Sequence, residues 1–373
     1  MKKKKPIIFL CGARDFHAMD WYKSAKELIN DREVSIVTDL ITGEGFIKLI
    51  NNDDIVYKLL ILDNLLFKKQ SSLGNLWRNI LKLIVLPLQV ALLRNFSKKK
   101  PDAIYHAHSM YYLWLAWLAG IPFIGTPQGS DILIKPFKSK FFKFLSAKAM
   151  RAALALTVDS KNMQEKAESI SGIKPFIIQN GIDLASIEKL NSITNIKNKR
   201  DIPILSIRGF TELYRIKELI KARNKNIEFT KNITPITFIY PFYEQAYKIE
   251  INLELTDKDN DLGRVDSDSM YKLMLKTQLV ISIPISDSSP RSVYESIFCG
   301  AAVAVVKNNY LSLLPECMLK RIIIIDLNNN NWLEQAHAKA KEIIQQPYIP
   351  SEQALEMFDQ RKSFLKIVKL FSK

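Results

Sequence analysis

Two series of short apolar runs, each alternating with helical stretches, restrict the fold of this chain more than any other feature of the sequence. In the first series, residues 7–11 close on Gly12 and lead into a helical stretch over about 19–29. Residues 33–38, 103–106, 123–126, 155–159 and 175–179 are the next strand candidates, and an apolar helix over 111–118 separates two of them. Residues 191–201 are polar and carry Lys197, Lys199 and Arg200, which is a linker composition. The second series runs through residues 203–207, 237–240, 279–283, 301–306 and 322–326. Strands that alternate with helices form parallel sheets covered by their crossover helices. At 373 residues there is chain enough for two such domains. The expected division is an α/β first domain over 1–190, an α/β second domain over 191–350, and a terminal helix over 351–373.

Cysteine usage and charge narrow the setting. Cys11, Cys299 and Cys317 stand far apart with no Cys-x-x-Cys pair. That argues against a disulfide framework or a structural zinc site, and it fits a reducing cytoplasm. The Lys2–Lys5 run imitates the start of a signal peptide, but the apolar run behind it stops at Cys11 and meets Arg14 and Asp15, too soon for one. The longest apolar run, residues 83–93, is interrupted by Pro87 and Gln89. It falls short of the ~20 residues a spanning helix needs, so the chain is expected to be soluble or peripheral. His106 and His108 share one face of a strand with no third ligand in view, and no metal is expected.

The net charge of +16 is concentrated in residues 48–151, which hold sixteen Lys and Arg against five Asp and Glu. Basic residues there alternate with large apolar ones, as in Phe67-Lys68-Lys69, Arg94 with Phe96, and Lys135–Lys143 with Phe137, Phe141 and Phe144. Such a face suits an anionic membrane, where each lysine contributes ~1 kcal/mol. The plainer reading is a solvated basic face over ordinary core helices. No nucleic-acid recognition motif accompanies the charge, and no nucleic-acid partner is expected.

The most informative segment is 282–305. A strand ends at Ser286, a loop of small polar residues follows, and a helix starts near Ser289 or Pro290, with Ser288 or Ser289 placed to cap it. A helix N-terminus at the carboxyl end of a parallel strand is a ready phosphate site. Glu295 falls one to two turns into that helix, where a carboxylate can accept two ribose hydroxyls, and Gly300 ends the helix. An acidic residue, seven intervening residues and a glutamate before Cys299-Gly300 resemble the donor-site motif of retaining glycosyltransferases of family four (group 1 type).

The resemblance extends along most of the chain. Pro101–His108 is similar to that family's fourth-strand segment, and Gly129-Ser130-Asp131 to its Gly-Ser-Asp loop. Thr157–Ser160 and Ile178–Asp183 resemble its closing segments of the first domain, and Leu205–Arg208 its opening of the second. It implies the GT-B fold, with two Rossmann-like domains facing across a cleft, a first domain that binds acceptor and a last helix crossing back to it. It also implies a hexosyltransferase that uses a nucleotide-diphosphate sugar, expected to be a UDP-sugar, as substrate and needs no cofactor. Arg208 and Asp287 with Gln128 are the implied catalytic residues, and His17 is expected to join them because it follows the Gly12 turn at the start of a helix. Gly12, Arg208, Arg215, Arg264, Val265, Ser288, Ser289, Pro290, Arg291 and Glu295 are the implied donor-binding residues. A lipid-linked glycan acceptor, an anionic membrane surface as partner and a place at the inner face of the plasma membrane complete the expectation. The chain departs from the family at four positions. Asp287 is one methylene shorter than the usual glutamate, and Ser288 stands where many relatives have glycine. Tyr214 fills a usual lysine slot, leaving Arg215 or Lys217 to supply the second charge, and Gln128 replaces a usual histidine. The last two departures favour the alternative of a catalytically silent glycan-binding or partner protein.

Overall fold

The computed structural model describes residues 5–14, 16–42, 44–66, 72–193, 200–230, 233–287 and 289–371. Lys2–Lys4, Asp15, Phe67–Lys69, linker residues 194–199 and Ser288 lie outside the described residues. The chain forms two compact units, residues 1–180 with 361–373 and residues 181–360.

The first unit holds β1 (Ile7–Leu10), β2 (Val34–Thr38), β3 (Val56–Lys58), β4 (Ile104–His108), β5 (Phe123–Thr126), β6 (Ala155–Val158) and β7 (Phe176–Ile177). They pair in parallel in the order β3-β2-β1-β4-β5-β6-β7. Its helices are α1 (Phe16–Leu28), α2 (Glu44–Leu49), α3 (Ser72–Lys98), α4 (Met110–Ala119), α5 (Gly129–Leu133), α6 (Lys135–Lys138), α7 (Lys140–Ala152) and α8 (Lys161–Ser171). β1, β2, β4 and β5 are buried at every position, and the polar residues of β2 and β4 (Ser35, Thr38, His106 and His108) are buried with the rest. Ile8, Leu10, Tyr105 and Ala107 meet α3, α4 and α7 on one face of the sheet. Ile7, Phe9, Ile36 and Ile104 meet α1 on the other.

α3 runs unbroken through Pro87, where the sequence suggested an interruption. Over Trp77–Lys98 it is long and apolar enough to cross a membrane by length and composition, which corrects the expectation that no segment reaches that length. Its inner face is polar at two buried points. Lys82 Nζ lies 3.3 Å from an Asp39 carboxylate oxygen and donates to Tyr112 Oη at 2.9 Å. Gln89 Nε2 donates to Asp39 at 3.3 Å and to Leu60 O at 3.2 Å. Burial pushes the Lys82 ammonium below the usual lysine pKa, and Asp39 acts against it.

The second unit holds β8 (Ile202–Ser206), β9 (Ile236–Ile239), β10 (Asn260–Gly263), β11 (Thr277–Ser282), β12 (Ala302–Val305) and β13 (Ile322–Ile324), all parallel in the order β10-β9-β8-β11-β12-β13. Its helices are α9 (Leu184–Ile193), α10 (Ile216–Thr230), α11 (Gln245–Glu254), α12 (Ser267–Leu275), α13 (Arg291–Phe298), α14 (Glu316–Leu319), α15 (Trp332–Ile343) and α16 (Glu352–Phe358). The division falls at 180/181 and not at 190, because Leu184, Ile187 and Leu190 of α9 join the core of Tyr271, Met274 and Val293. The terminal segment is two helices. α16 stays with the second unit through Ala354 and Phe358. The chain then turns at Asp359, where Ile182 donates its N–H to Phe358 O and accepts from Gln360 N–H. α17 (Gln360–Leu370) follows, and Phe364, Ile367 and Phe371 enter the core beside Trp21 in the first unit.

Both sheets reverse strand order at one place, between β1 and β4 in the first and between β8 and β11 in the second. Ligands of open parallel sheets bind outside the carboxyl ends of the strands at such a switch point. Each unit therefore has one edge position that its topology marks for a ligand.

Candidate functional site

In the second unit that position is occupied by Arg208, two residues beyond β8. Its Nε donates to Ser282 Oγ at 2.8 Å, on the last residue of β11, and one terminal nitrogen donates to Asp287 Oδ2 at 2.7 Å. The two charged side chains are 12% and 18% exposed, so the pair is largely shielded from water. Two of the five guanidinium N–H donors are spent on these contacts, which leaves three for an incoming anion. The guanidinium also lies 5.5 Å from the ring centre of Tyr214. The residue in the lysine slot thus faces Arg208 with the negative side of its ring. Burial raises the pKa of the Tyr214 phenol and keeps it neutral.

Local sequence explains how Asp287 reaches Arg208. β11 stops at Ser282, not Ser286, because Pro284 has no N–H to continue a ladder. The following loop carries Asp287 back over the strand end. α13 begins at Arg291 with Pro290 as its N-cap and no side-chain capping bond, which replaces the expected serine cap. Ser289 instead places its hydroxyl 3.5 Å from Tyr294 Oη.

Glu295 is buried on α13. Arg291 Nε donates to its Oε1 at 3.0 Å and Tyr271 Oη donates to the same oxygen at 3.1 Å. Both donors hold one carboxylate oxygen, which fixes the direction of the other. The Cys299–Gly300 turn below is clamped by two arginines. Arg200 donates to Cys299 O at 2.9 Å and to Thr277 O at 2.6 Å, and Arg321 donates to Gly300 O at 3.1 Å. Gly300 has φ 79°, and a Cβ there would stand 2.6 Å from an Arg200 nitrogen. Only glycine fits that turn.

Arg215 takes the left-handed conformation, φ 54°, and makes no ion pair among the described residues. Lys217 pairs with Glu212 at 2.8 Å and Glu250 at 2.6 Å. Of the two expected sources of a second positive charge, Lys217 is neutralised by acids and Arg215 is not. Arg264 is exposed just beyond β10, and Val265 packs partly against the core beside it.

In the first unit Gly12 follows β1, Ser109 follows β4 and Gln128 follows β5, so the three loops are neighbours along one sheet edge. A Cβ on Gly12 would lie 2.6 Å from Tyr112 Oη, so the glycine is required by its own fold whatever it contacts in a ligand. Gln128 caps α5 in a reciprocal capping box with Asp131. Asp131 also accepts from Met110 N at 2.9 Å and pairs with Lys135 at 2.7 Å, tying the Gln128 loop to the start of α4. His17 is exposed on the first turn of α1. His106 and His108 are buried beside Trp21, and His106 Nε2 lies 2.8 Å from Thr126 Oγ1. Among the described residues no three His, Cys, Asp or Glu side chains converge on a metal position.

The sequence missed Ser282 and Tyr271, which orient Arg208 and Glu295. A strand-terminal serine and one tyrosine on an amphipathic helix carry no local sign of such a role. It also missed Ser109, whose φ of 76° only the folded backbone reveals.

This pair of parallel sheets is the two-domain, Rossmann-like GT-B fold of known glycosyltransferases. Residues 70–186 match the family described as Glycosyltransferase Family 4. The chain is similar over 99% of its length to sucrose-phosphate synthase from Thermosynechococcus elongatus, covering 98% of that chain at 14% identity with a TM-score of 0.69, against 0.67 for the next structure. That next structure is a glycosyltransferase from Rickettsia africae, also 14% identical, with 99% of this chain and 98% of that one covered. A third is a UDP-GlcNAc 2-epimerase from Neisseria meningitidis bound to UDP-GlcNAc, at 13% identity and a TM-score of 0.62, covering 98% of this chain and 99% of that one. No curated protein matches the chain by sequence.

Proposed function

We propose that the protein is a retaining glycosyltransferase that moves a hexose from a nucleotide-diphosphate sugar to a lipid-linked glycan, an intermediate of surface-polysaccharide synthesis, at the inner face of the plasma membrane. The observation that carries the reading is the placement of Arg208 and Asp287 on adjoining loops at the switch point of the second sheet, with Glu295 on helix α13 just beyond them. Arg208 offers its remaining N–H donors to the diphosphate and stabilises the charge that develops as the bond from anomeric carbon to phosphate oxygen breaks. Glu295, held through one oxygen, offers the other to the ribose hydroxyls. Asp287 is set to contact the donor sugar, and Arg215 supplies a second positive charge. The acceptor oxygen attacks from the face the diphosphate leaves, and a phosphate oxygen takes its proton. Gln128 and His17 belong to the sugar and acceptor side of the reaction. A GT-B neighbour bound to UDP-GlcNAc supports a UDP-sugar as donor.

One observation favours a second reading, a catalytically silent glycan-binding or partner protein. Tyr214 lies against Arg208 where the family resemblance puts a lysine, so that slot carries no charge. Thermal shift of the purified protein with UDP, GDP, ADP, CMP and their sugar conjugates separates the two. A ligand that binds only the folded state adds ~2.7 kcal/mol of stability at a hundred times its Kd. A shift with one nucleotide family that is lost in Arg208→Ala supports the transferase, and product NMR then reads retention at the anomeric carbon. Absence of any shift and of donor turnover supports the silent protein.

A further inference from the structure

The outer face of α3 is apolar and uncovered. Trp77, Ile80, Leu83, Ile84, Leu88 and Leu92 are between 39% and 67% exposed, and they recur at helical spacing over about 23 Å of helix. Between Arg78 and Arg94 the helix has one charged residue, Lys82, and that side chain is turned inward to Asp39. Monomeric soluble proteins rarely leave so continuous an apolar strip in water.

A second uncovered patch lies in the same helical layer. α3 and α7 each pack against α4, and all three cover the same face of the first sheet. On α6 and α7, Phe137, Phe141 and Phe144 are more than half exposed and interleave with exposed Lys138, Lys140 and Lys143. Lys148 sits 5.8 Å from the Phe144 ring centre and Lys166 5.3 Å from that of Phe137. Neither residues 64–101 nor residues 132–158 contain a single Asp or Glu. Asp131 pairs with Lys135, but Lys138, Lys140 and Lys143 make no ion pair among the described residues, so the layer combines exposed apolar side chains with positive charge that is not locally neutralised.

We propose that the outer face of the α3–α4–α7 layer is a docking surface for an anionic lipid bilayer, with α3 lying along the headgroup region and not crossing it. Length alone would let α3 span, but Lys82 and Gln89 on its inner face are engaged with Asp39, and leaving that cluster would put an unpaired ammonium into hydrocarbon. In the interfacial position the strip enters the acyl boundary while the lysines meet lipid phosphates. The phenylalanines of α6 and α7 add apolar contact at the same level. A bilayer accounts for the missing acids better than a protein partner does, since every cation on the surface then faces the same sign of charge. The inference builds on the lipid-linked acceptor proposed above by naming the surface that meets the membrane.

The test is flotation of the full chain, without donor or acceptor, with vesicles of phosphatidylcholine alone or with roughly a third phosphatidylglycerol. Binding is expected at least about tenfold stronger to the anionic vesicles and weakened by salt. Ile84→Asp with Leu88→Asp abolishes it, and Lys138→Glu with Lys140→Glu and Lys143→Glu removes its salt-sensitive part. All five positions are exposed, so melting temperatures are expected to stay near wild type. Wild-type preference for anionic over neutral vesicles reads the proposal even if a variant folds poorly. Equal or absent binding to both vesicle types overturns the proposal, as does unchanged binding by both variants. A wild-type dimer that Ile84→Asp with Leu88→Asp converts to monomer, without vesicle binding, also overturns it and assigns the strip to a second copy. Because vesicle binding is read without turnover, its failure leaves the transferase reading standing, and a failed donor screen leaves the docking surface standing.

Discussion

Arg208 donates to Asp287 at 2.7 Å and to Ser282 at 2.8 Å, so the free guanidinium is already aimed across the carboxyl end of the second sheet. The arrangement fixes its plane before any ligand arrives, and a fixed donor loses little freedom on binding a diphosphate. Arg208→Ala is expected to lower transfer about 10²-fold to 10³-fold, the usual cost of removing one donor from developing charge. Arg208→Lys is expected to recover little of this, because an ammonium cannot hold both Ser282 and Asp287 in one plane and still face a phosphate. Steady-state kinetics of the two variants check the prediction. A lysine variant with near wild-type kcat would show that charge alone matters and that the Asp287 contact does not.

Glu295 carries two donors on one oxygen, from Arg291 and Tyr271, inside a buried site. Glu295→Ala leaves those donors without their acceptor and is expected to cost about 1–3 kcal/mol of stability. Glu295→Gln keeps an oxygen for Tyr271 and removes the charge that Arg291 meets. It is expected to cost less stability and to weaken nucleotide binding. Denaturant unfolding alongside nucleotide titration tests both variants. Equal nucleotide affinity in wild type and Glu295→Gln would remove the carboxylate from the donor site.

The strands that the sequence made legible are those buried on both faces, such as β1, β5 and β12, where uninterrupted apolar runs leave one reading. β10 (Asn260–Gly263) escaped because it is a polar edge strand, and β3 (Val56–Lys58) because it is short and half exposed. Pro87 read as a break in α3, yet burial of Leu81, Lys82, Gln89 and Leu93 holds the helix through it. In the site, Arg208, Asp287 and Glu295 were readable from spacing and family resemblance. Ser282 and Tyr271 were not, since each meets its partner only through the pairing of β8 with β11 or the packing of α12 on α13. The clamp of Arg200 and Arg321 on the Cys299–Gly300 turn was hidden for the same reason.

Ser109 stands at φ 76° and ψ 153°, a region that glycine alone enters readily, and its N–H is held by Thr126 O at 2.9 Å. Such a backbone costs about 1–3 kcal/mol in a residue with a Cβ. Ser109→Gly is therefore expected to stabilise the chain by about 1 kcal/mol, after allowing for the greater freedom of glycine in the unfolded state. Urea unfolding with an unchanged m-value reads this directly. A destabilised Ser109→Gly would mean that the serine side chain makes a contact worth more than the strain.

Stability is expected to fall as the pH drops below the ordinary histidine range. Burial, followed by the neighbouring His108, holds His106 well below its usual value of 6.5. Burial, followed by Lys341, lowers His337 to about 4. Below pH 6.5 the unfolded chain takes up protons at these positions while the folded chain does not. The unfolded state then binds more protons, and stability decreases as pH falls, by up to about 1.4 kcal/mol per pH unit for each histidine. For His337 the window closes near pH 4, where the folded state is protonated as well. The depressed carboxylates Asp63 and Asp259 act in a separate window, since their stabilisation is lost only below their ordinary value of 3.8. His337→Gln removes the titrating ring and leaves a side-chain donor within reach of Gln278, which His337 now meets at 2.9 Å. Calorimetric melting at several pH values between about 7 and about 4.5 is expected to give a shallower decline for His337→Gln than for the wild type. Identical declines would show that His337 takes up its proton at the same pH in the folded and unfolded chains and that the slope arises elsewhere.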